Sequence, residues 1–90
     1  MISQEQINNV VKIIAEKYQP EKIILFGSYA LGTATDNSDL DLMIIKESEK
    51  NGIERAIDVR LLLRGSKIPM DIMVYTSNEY HNGINLLSNI

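Results

Sequence analysis

The sequence contains no cysteine, which excludes disulfide bonds and thiolate metal sites. It also has no apolar run that approaches the roughly 20 residues of a membrane-spanning helix. The first residues, from Met1 to Glu5, have neither the basic segment nor the apolar segment of a signal peptide. We therefore expect a cytoplasmic protein without a membrane partner.

Positive charge is scarce in this chain. It has 9 lysines and arginines against 12 aspartates and glutamates, and its net charge is −3. Stable binding of DNA or RNA requires a basic face that displaces counterions, so we do not expect it here. A single nucleotide is still compatible as a substrate, because bound metal ions supply positive charge locally.

The chain is also short. Its 90 residues, of which 44% are hydrophobic, predict one domain over residues 1–90. A domain of this size buries only about 60–65% of its unfolded surface, so its core is thin. Association into a homo-oligomer or a hetero-oligomer would add buried surface.

Apolar residues recur at helical spacing in three segments. Ser3 and Gln6 fit a capping box at the start of the first helix. A second long helix is predicted between Glu47 and Arg64, and a last one after Ser77. The apolar positions that predict these helices are Ile7, Val10, Val11, Ile14 and Tyr18, then Ile53, Ile57 and Leu61, and finally Leu86, Leu87 and Ile90.

Three shorter segments, residues 21–26, 39–45 and 68–75, are predicted to be strands. The first has no polar alternation, which predicts burial on both of its faces. Its short connection to the second strand favours an antiparallel pair, whereas a whole helix before the third strand favours a parallel, right-handed crossover. The expected fold class is therefore α/β (α+β), with a small mixed sheet flanked by helices.

Two motifs are predicted to meet at one edge of that sheet. Gly27 and Ser28 end the first strand, and ten residues separate them from Asp39. Asp39 and Asp41 are spaced i, i+2, which places both side chains on one face of a strand. Asp71 lies near the start of the third strand, so the topology brings it to the same edge.

This set of residues suits chemistry on a nucleoside triphosphate. Mg²⁺ prefers oxygen ligands and takes some of them from substrate phosphates, and two such ions about 3.5–4 Å apart catalyse displacement at an α-phosphate. We predict that Asp39, Asp41 and Asp71 are catalytic and hold two Mg²⁺ ions. Gly27 and Ser28, with Asp39 and Asp41, are predicted to bind the nucleotide. Each motif taken alone is ordinary for a solvated turn or strand edge, and the prediction depends on their order and spacing.

Several other polar residues are open to two interpretations. Arg55, Arg60 and Arg64 lie on the predicted helix between residues 47 and 64, where a solvated face is favoured over contact with a triphosphate. Tyr29 follows the Gly–Ser turn and either flanks a nucleotide or packs against the core. For Tyr29, the residues alone do not decide between the two interpretations.

The segment LFGSYALGTATDNSDLDLMII resembles the GSx₁₀DxD signature of the DNA polymerase β nucleotidyltransferase superfamily. It is similar to the minimal nucleotidyltransferase (MNT) proteins, which are encoded beside HEPN-domain ribonucleases in toxin–antitoxin pairs. The likeness extends from about Ile23 to Tyr75 and includes PMDIMVY, where Asp71 corresponds to the third superfamily carboxylate. The resemblance implies a polymerase β palm-like fold.

The resemblance also implies a reaction. An MNT antitoxin transfers AMP from ATP to a tyrosine hydroxyl of its HEPN toxin partner in a reaction that requires Mg²⁺. Two alternatives remain open: an antitoxin that neutralises the toxin by binding alone, and a nucleotidyltransferase that modifies a small molecule such as an aminoglycoside. The chain departs from the family at Leu31, where an arginine is common, and relatives often continue beyond the position of Ile90.

Overall fold

Four helices and three strands make up residues 1–88, the part of the chain that this computed structural model describes, with side chains described through residue 83. In chain order they are α1 (Gln4–Tyr18), β1 (Lys22–Phe26), α2 (Ser28–Leu31), β2 (Leu40–Ile45), α3 (Gly52–Leu62), β3 (Met70–Tyr75) and α4 (Ser77–Ser88). The predicted apolar positions Leu86, Leu87 and Ile90 lie outside the described side chains. None of the helices within that range has the length and apolarity needed to span a bilayer.

The three strands form one sheet in the order β1-β2-β3. β1 pairs antiparallel with β2, and β2 pairs parallel with β3, which confirms the predicted mixed sheet. The prediction that β1 is buried on both faces is wrong, since Lys22 is exposed and the other four residues of the strand are only half-buried. The reason is position, because β1 is an edge strand and β2 occupies the centre.

The hydrophobic core lies on one face of the sheet, beneath α1 and α3. Alternate residues of a strand point to opposite faces, so Leu40, Leu42 and Ile44 of β2 enter the core and are completely buried. The buried residues that pack with them come from α1, α3 and β3 and are Ile7, Val10, Ile14, Val59, Leu63, Ile72 and Val74. The intervening residues of each strand face the other side of the sheet.

Both ends of α1 are capped. The Ser3 hydroxyl accepts a hydrogen bond from the Gln6 N–H at 3.1 Å, and the Gln6 side chain accepts one from the Ser3 N–H at 2.8 Å, which confirms the predicted capping box. At the other end, the Lys46 ammonium group donates to the Tyr18 carbonyl at 2.8 Å and to the Gln19 carbonyl at 3.2 Å. The end of β2 therefore holds the end of α1, with a cation close to the negative pole of the helix.

The helix α3 is shorter than predicted and presents a different face to the core. It begins at Gly52 rather than Glu47, because the Asn51 side chain accepts a hydrogen bond from the Glu54 N–H at 2.9 Å and caps the helix there. The residues that predicted the helix, here named the α3 stripe, are exposed: Ile53 by 75%, Ile57 by 49% and Leu61 by 55%. Spacing of i, i+4 identifies an apolar helix face, but the packing decides which face is buried.

Arg55 occupies part of the buried face of α3, so the prediction of a solvated Arg55 is wrong. Its side chain is only 4% exposed. The guanidinium group donates to the Lys50 carbonyl at 2.7 Å, to the Val74 carbonyl at 2.9 Å, and to both carboxylate oxygens of Glu79 at 2.6 and 3.2 Å. One side chain thus connects α3, β3 and α4. Arg60 and Arg64 are exposed, as predicted.

The ion pair with Arg55 makes Glu79 a source of acid-sensitive stability. Hydrogen bonds from Arg55 and then from the Thr76 N–H lower the pKa of Glu79 from its ordinary value of 4.5 to about 2. The pKa of Glu79 is lower in the folded state than in the unfolded state. The stabilisation that the Glu79 carboxylate contributes is therefore complete above pH 4.5 and is lost as the pH falls towards 2. We expect Glu79→Gln to lower the free energy of unfolding at pH 6 by up to about 1 kcal/mol, since the Glu79 side chain is half-exposed and solvent screens its charge.

Urea unfolding at pH 6, 4 and 3 measures this effect. The loss of stability between pH 6 and pH 3 is expected to be smaller in Glu79→Gln than in the wild type. Glu16→Gln, at an exposed position on α1, serves as the matched control and is expected to follow the wild-type profile. Identical acid profiles for Glu79→Gln and the wild type would contradict the prediction.

Candidate active site

The strand register places Asp41 directly beside Asp71. The two are partners in the parallel pair of β2 and β3, where neighbouring strands lie about 4.8 Å apart and paired side chains share a face. That face is opposite to the core, because the neighbours Leu40 and Leu42 on β2 are buried among the helices. Both carboxylates therefore lie at the edge where the two strands begin, on the side of the sheet away from α1 and α3.

Gly27 brings the end of β1 against the same carboxylate. The last residue of β1, Phe26, is the antiparallel partner of Asp41, and Gly27 follows it with a φ of +72°. A Cβ at position 27 would lie 3.0 Å from the Cγ atom of Asp41 and closer still to Oδ2. Both the backbone conformation and the space at this position therefore require glycine.

The Gly27 turn leads into the four-residue helix α2. The Gly27 carbonyl accepts hydrogen bonds from the Ala30 and Leu31 N–H groups, each at 3.1 Å. Ser28 is half-buried, and no residue in the described part of the chain forms a hydrogen bond with its hydroxyl group. The Ser28 hydroxyl is therefore able to donate to a phosphate oxygen placed at this edge of the sheet.

Asp39 follows a loop that contains hydrogen bonds not predicted from the sequence. The Thr35 N–H donates to the Ser38 hydroxyl at 2.8 Å, and the Ser38 N–H returns a bond to the Thr35 carbonyl at 3.1 Å. The spacing of a threonine and a serine three residues apart was the available signal for this turn. Asp39 comes next and is exposed, immediately before β2.

Tyr29 packs against the core, which decides between its two interpretations. Its half-buried ring contacts the hydrophobic cluster, and its hydroxyl oxygen accepts a hydrogen bond from the Ile2 N–H at 2.9 Å. The N-terminal residues are also held by an ion pair between the Met1 ammonium group and Asp36 at 3.1 Å. Tyr29 therefore fixes the residues before α1 against α2.

Negative charge is concentrated around Asp41. Burial, then the charge of Asp71, then that of Asp39 raise the pKa of the Asp41 carboxyl above its ordinary value. All three causes act in the same direction, and no lysine or arginine is among them. A cation bound at this edge would relieve the repulsion between the carboxylates. Such repulsion between neighbouring carboxylates is typical of a metal site without its ion.

These carboxylates suit Mg²⁺ in donor chemistry and in placement. Among the side chains that the structure describes, no three acidic, histidine or cysteine residues converge closely enough to hold an ion by themselves. Mg²⁺ is usually bound through one or two carboxylates together with substrate phosphates, so a preformed three-ligand cage is not required. Asp41 and Asp71 provide such a pair, and Gly27 leaves room where a Cβ would obstruct the Asp41 carboxylate. Asp39, two residues before Asp41, adds its negative charge.

Comparison with known proteins shows the family to which this chain belongs. Three Methanocaldococcus jannaschii proteins, each provisionally named a protein adenylyltransferase, are similar to the chain. The first is 38% identical over 69 residues, which are 70% of this chain and 45% of the relative. The second is 43% identical over 47 residues, 50% of this chain and 47% of the relative. The third is 52% identical over 33 residues, 37% of this chain and 33% of the relative.

The matched segments thus cover less than half of the length of each of these relatives. No solved structure matches the chain. The nucleotidyltransferase domain family, in contrast, matches residues 7–88, which include every strand and the whole of the carboxylate edge. The chain belongs to the nucleotidyltransferase domain family.

Proposed function

We propose that this protein transfers AMP from ATP to a tyrosine hydroxyl of a partner HEPN ribonuclease toxin, and that it acts in this way as a cytoplasmic antitoxin. The observation that carries the proposal is the register of Asp41 with Asp71 beside the Gly27 turn. The names of the M. jannaschii relatives support a protein as acceptor. The resemblance to MNT proteins supports a toxin as that protein.

The residues of the site are proposed to bind phosphates on one side and metal ions on the other. The turn at Gly27 and the Ser28 hydroxyl lie on the β1 side, where they are suited to bind phosphate oxygens. Asp39 and Asp41 would hold two Mg²⁺ ions together with those phosphates, and Asp71 would complete the set on the β3 side. When bound, Mg²⁺ neutralises phosphate charge and stabilises the leaving oxygen.

The proposed transfer forms one bond and breaks one. The tyrosine oxygen bonds to the α-phosphorus of ATP, and the bond from that phosphorus to the oxygen bridging to the β-phosphate breaks. Pyrophosphate leaves with that oxygen. The tyrosine proton passes to the Asp71 carboxylate, which is exposed and releases it to water.

Labelling with radioactive ATP tests the proposal. The purified protein is incubated with Mg²⁺, host lysate and ATP labelled at the α-phosphate, beside an Asp39→Ala/Asp41→Ala control. We expect one labelled protein that disappears in the control, with mass spectrometry placing AMP on a tyrosine of a HEPN protein. Labelling that persists in the control, or that comes from γ-labelled ATP instead, would refute the proposed transfer.

Co-expression of this protein with the acceptor identified by labelling tests the antitoxin role. If transfer is required, Asp39→Ala/Asp41→Ala fails to restore growth although it remains folded. Full neutralisation by that variant would indicate an antitoxin that acts by binding alone. Labelling of an aminoglycoside, with no labelled protein, would instead indicate a small-molecule nucleotidyltransferase.

Leu31 offers a test of the phosphate side of the site. It is 77% exposed at the end of α2, so replacing it with arginine removes no core packing. We expect Leu31→Arg to tighten binding of Mg²⁺-ATP about two- to five-fold, because an exposed charge pair contributes about 0.5–1 kcal/mol. Calorimetric titrations at two salt concentrations measure this, with Leu31→Gln as the uncharged control. Equal affinities for the two variants would show that position 31 is remote from the triphosphate.

A further inference from the structure

The α3 stripe continues into an apolar groove. A groove of about 530 Å³ runs between β3 and the first turns of α3, and it shares the exposed Ile53 with the stripe. Its walls include Ile53 and Ala56 on the helix and Met73 and Tyr75 on the strand. Contiguous exposed apolar surface of this kind typically marks a protein interaction site on a small domain.

This surface borders β3, the edge strand that carries Asp71. The helix α3 and the carboxylates lie on opposite faces of the sheet, so a protein bound to this surface would reach the carboxylates around the edge of β3. β3 carries Asp71 near its start and forms the strand wall of the groove, and it is the edge strand farthest from the Gly27 turn. Because β2 and β3 are parallel, α3 runs from the far end of the sheet back to the edge where β3 begins. The Leu61 end of the stripe is therefore the end closer to the carboxylates.

Charge distinguishes the two ends of this surface. Arg60, Arg64 and Lys67 are exposed around the end of α3 that lies toward the carboxylate edge. Within the described residues, none of the three has an acidic partner at ion-pair distance. The other end carries the exposed Glu54 in the first turn of α3. A partner with acidic residues next to its modified group would match this arrangement.

We propose that the α3 stripe, the adjoining groove and the basic end of α3 form the docking surface for the acceptor protein. The occupant is an amphipathic helix with aliphatic residues at i, i+4 spacing and acidic residues near the hydroxyl group that is modified. The stripe spans nine residues, so Ile53 and Leu61 are about 12 Å apart along the helix axis. Side chains at i, i+4 form a ridge of the kind that packs into the groove of a second helix. This inference rests on the proposed transfer to a protein and names the surface that selects that protein.

Kinetics of the labelled protein test the docking surface. We expect Ile57→Glu and Leu61→Glu to lower kcat/KM for the purified acceptor at least ten-fold, mainly through KM. Their affinity for α,β-methylene-ATP with Mg²⁺ is expected to equal that of the wild type. Ala15→Glu, which adds the same charge at an exposed site on α1, is the matched control and is expected to retain wild-type kinetics. Arg60→Glu/Arg64→Glu is expected to lower kcat/KM and its dependence on salt.

The outcomes separate this inference from the proposed function. Wild-type kinetics in Ile57→Glu and Leu61→Glu would overturn the docking surface and leave the transfer intact, whereas a wild type that labels no protein would overturn both. A photo-crosslinking benzoylphenylalanine at position 57 tests the surface in otherwise unchanged protein, whether or not the glutamate variants fold. A crosslink to the labelled acceptor supports the inference, and a crosslink only to a second copy of this chain would overturn it.

Discussion

Asp41→Asn is expected to reduce AMP transfer by about 10³-fold and, at the same time, to raise the melting temperature. The loss of activity follows because asparagine keeps the shape of the side chain but removes the charge that would hold Mg²⁺ and the phosphates. The gain in stability follows because burial, Asp71 and Asp39 all disfavour the charged form of Asp41, which raises its pKa. At neutral pH that charge therefore destabilises the folded state relative to the unfolded one.

Initial rates of labelling and calorimetric unfolding measure the two effects on the same preparation. Glu16→Gln provides the matched control, since Glu16 is exposed on α1 and lies outside the carboxylate edge. It is expected to retain wild-type activity. Substantial activity in Asp41→Asn would remove Asp41 from the proposed metal site, and a lower melting temperature would contradict the electrostatic account.

Gly27→Ala is expected to damage both the site and the fold. The new Cβ would stand 3.0 Å from the Asp41 Cγ, and the φ of +72° disfavours any residue with a side chain. With ψ at −155°, this backbone conformation is one that essentially only glycine adopts, and the strain costs about 1–3 kcal/mol. The displaced carboxylate would lower the rate of transfer by about 10²-fold, as misplacement by roughly 1 Å does in other active sites.

Gly32→Ala separates these two causes. Gly32 ends α2 in the left-handed helical region, with φ +75° and ψ +18°, where alanine is strained by about 1–2 kcal/mol. A Cβ at position 32 has no neighbour within 4 Å. We expect Gly32→Ala to lower the melting temperature while retaining most of the transfer rate. Equal loss of activity in both variants would show that backbone strain alone is responsible. Full activity in Gly27→Ala would show that the Asp41 carboxylate does not act from this position.

Local chemistry determined a large part of this structure. The capping box of Ser3 and Gln6 depends on bonds within one helical turn, so the sequence is sufficient to predict it. The lengths of the connections predicted the antiparallel and parallel pairs of the sheet, because a short loop cannot carry a parallel crossover. The same topology predicts that the Gly27 turn, Asp41 and Asp71 meet at one edge of the sheet, as the strand register shows.

Only the tertiary structure decided which surfaces are buried and what the polar side chains contact. Ile57 and Val59 are both apolar residues of α3, and the sheet covers the face with Val59, so the stripe that predicted the helix stays in solvent. Arg55 is buried because Glu79 and the Val74 carbonyl, 24 and 19 residues away, converge on its guanidinium group. Periodicity reports the conformation of a segment, whereas burial and pairing depend on residues distant in the chain, and no local pattern encodes them.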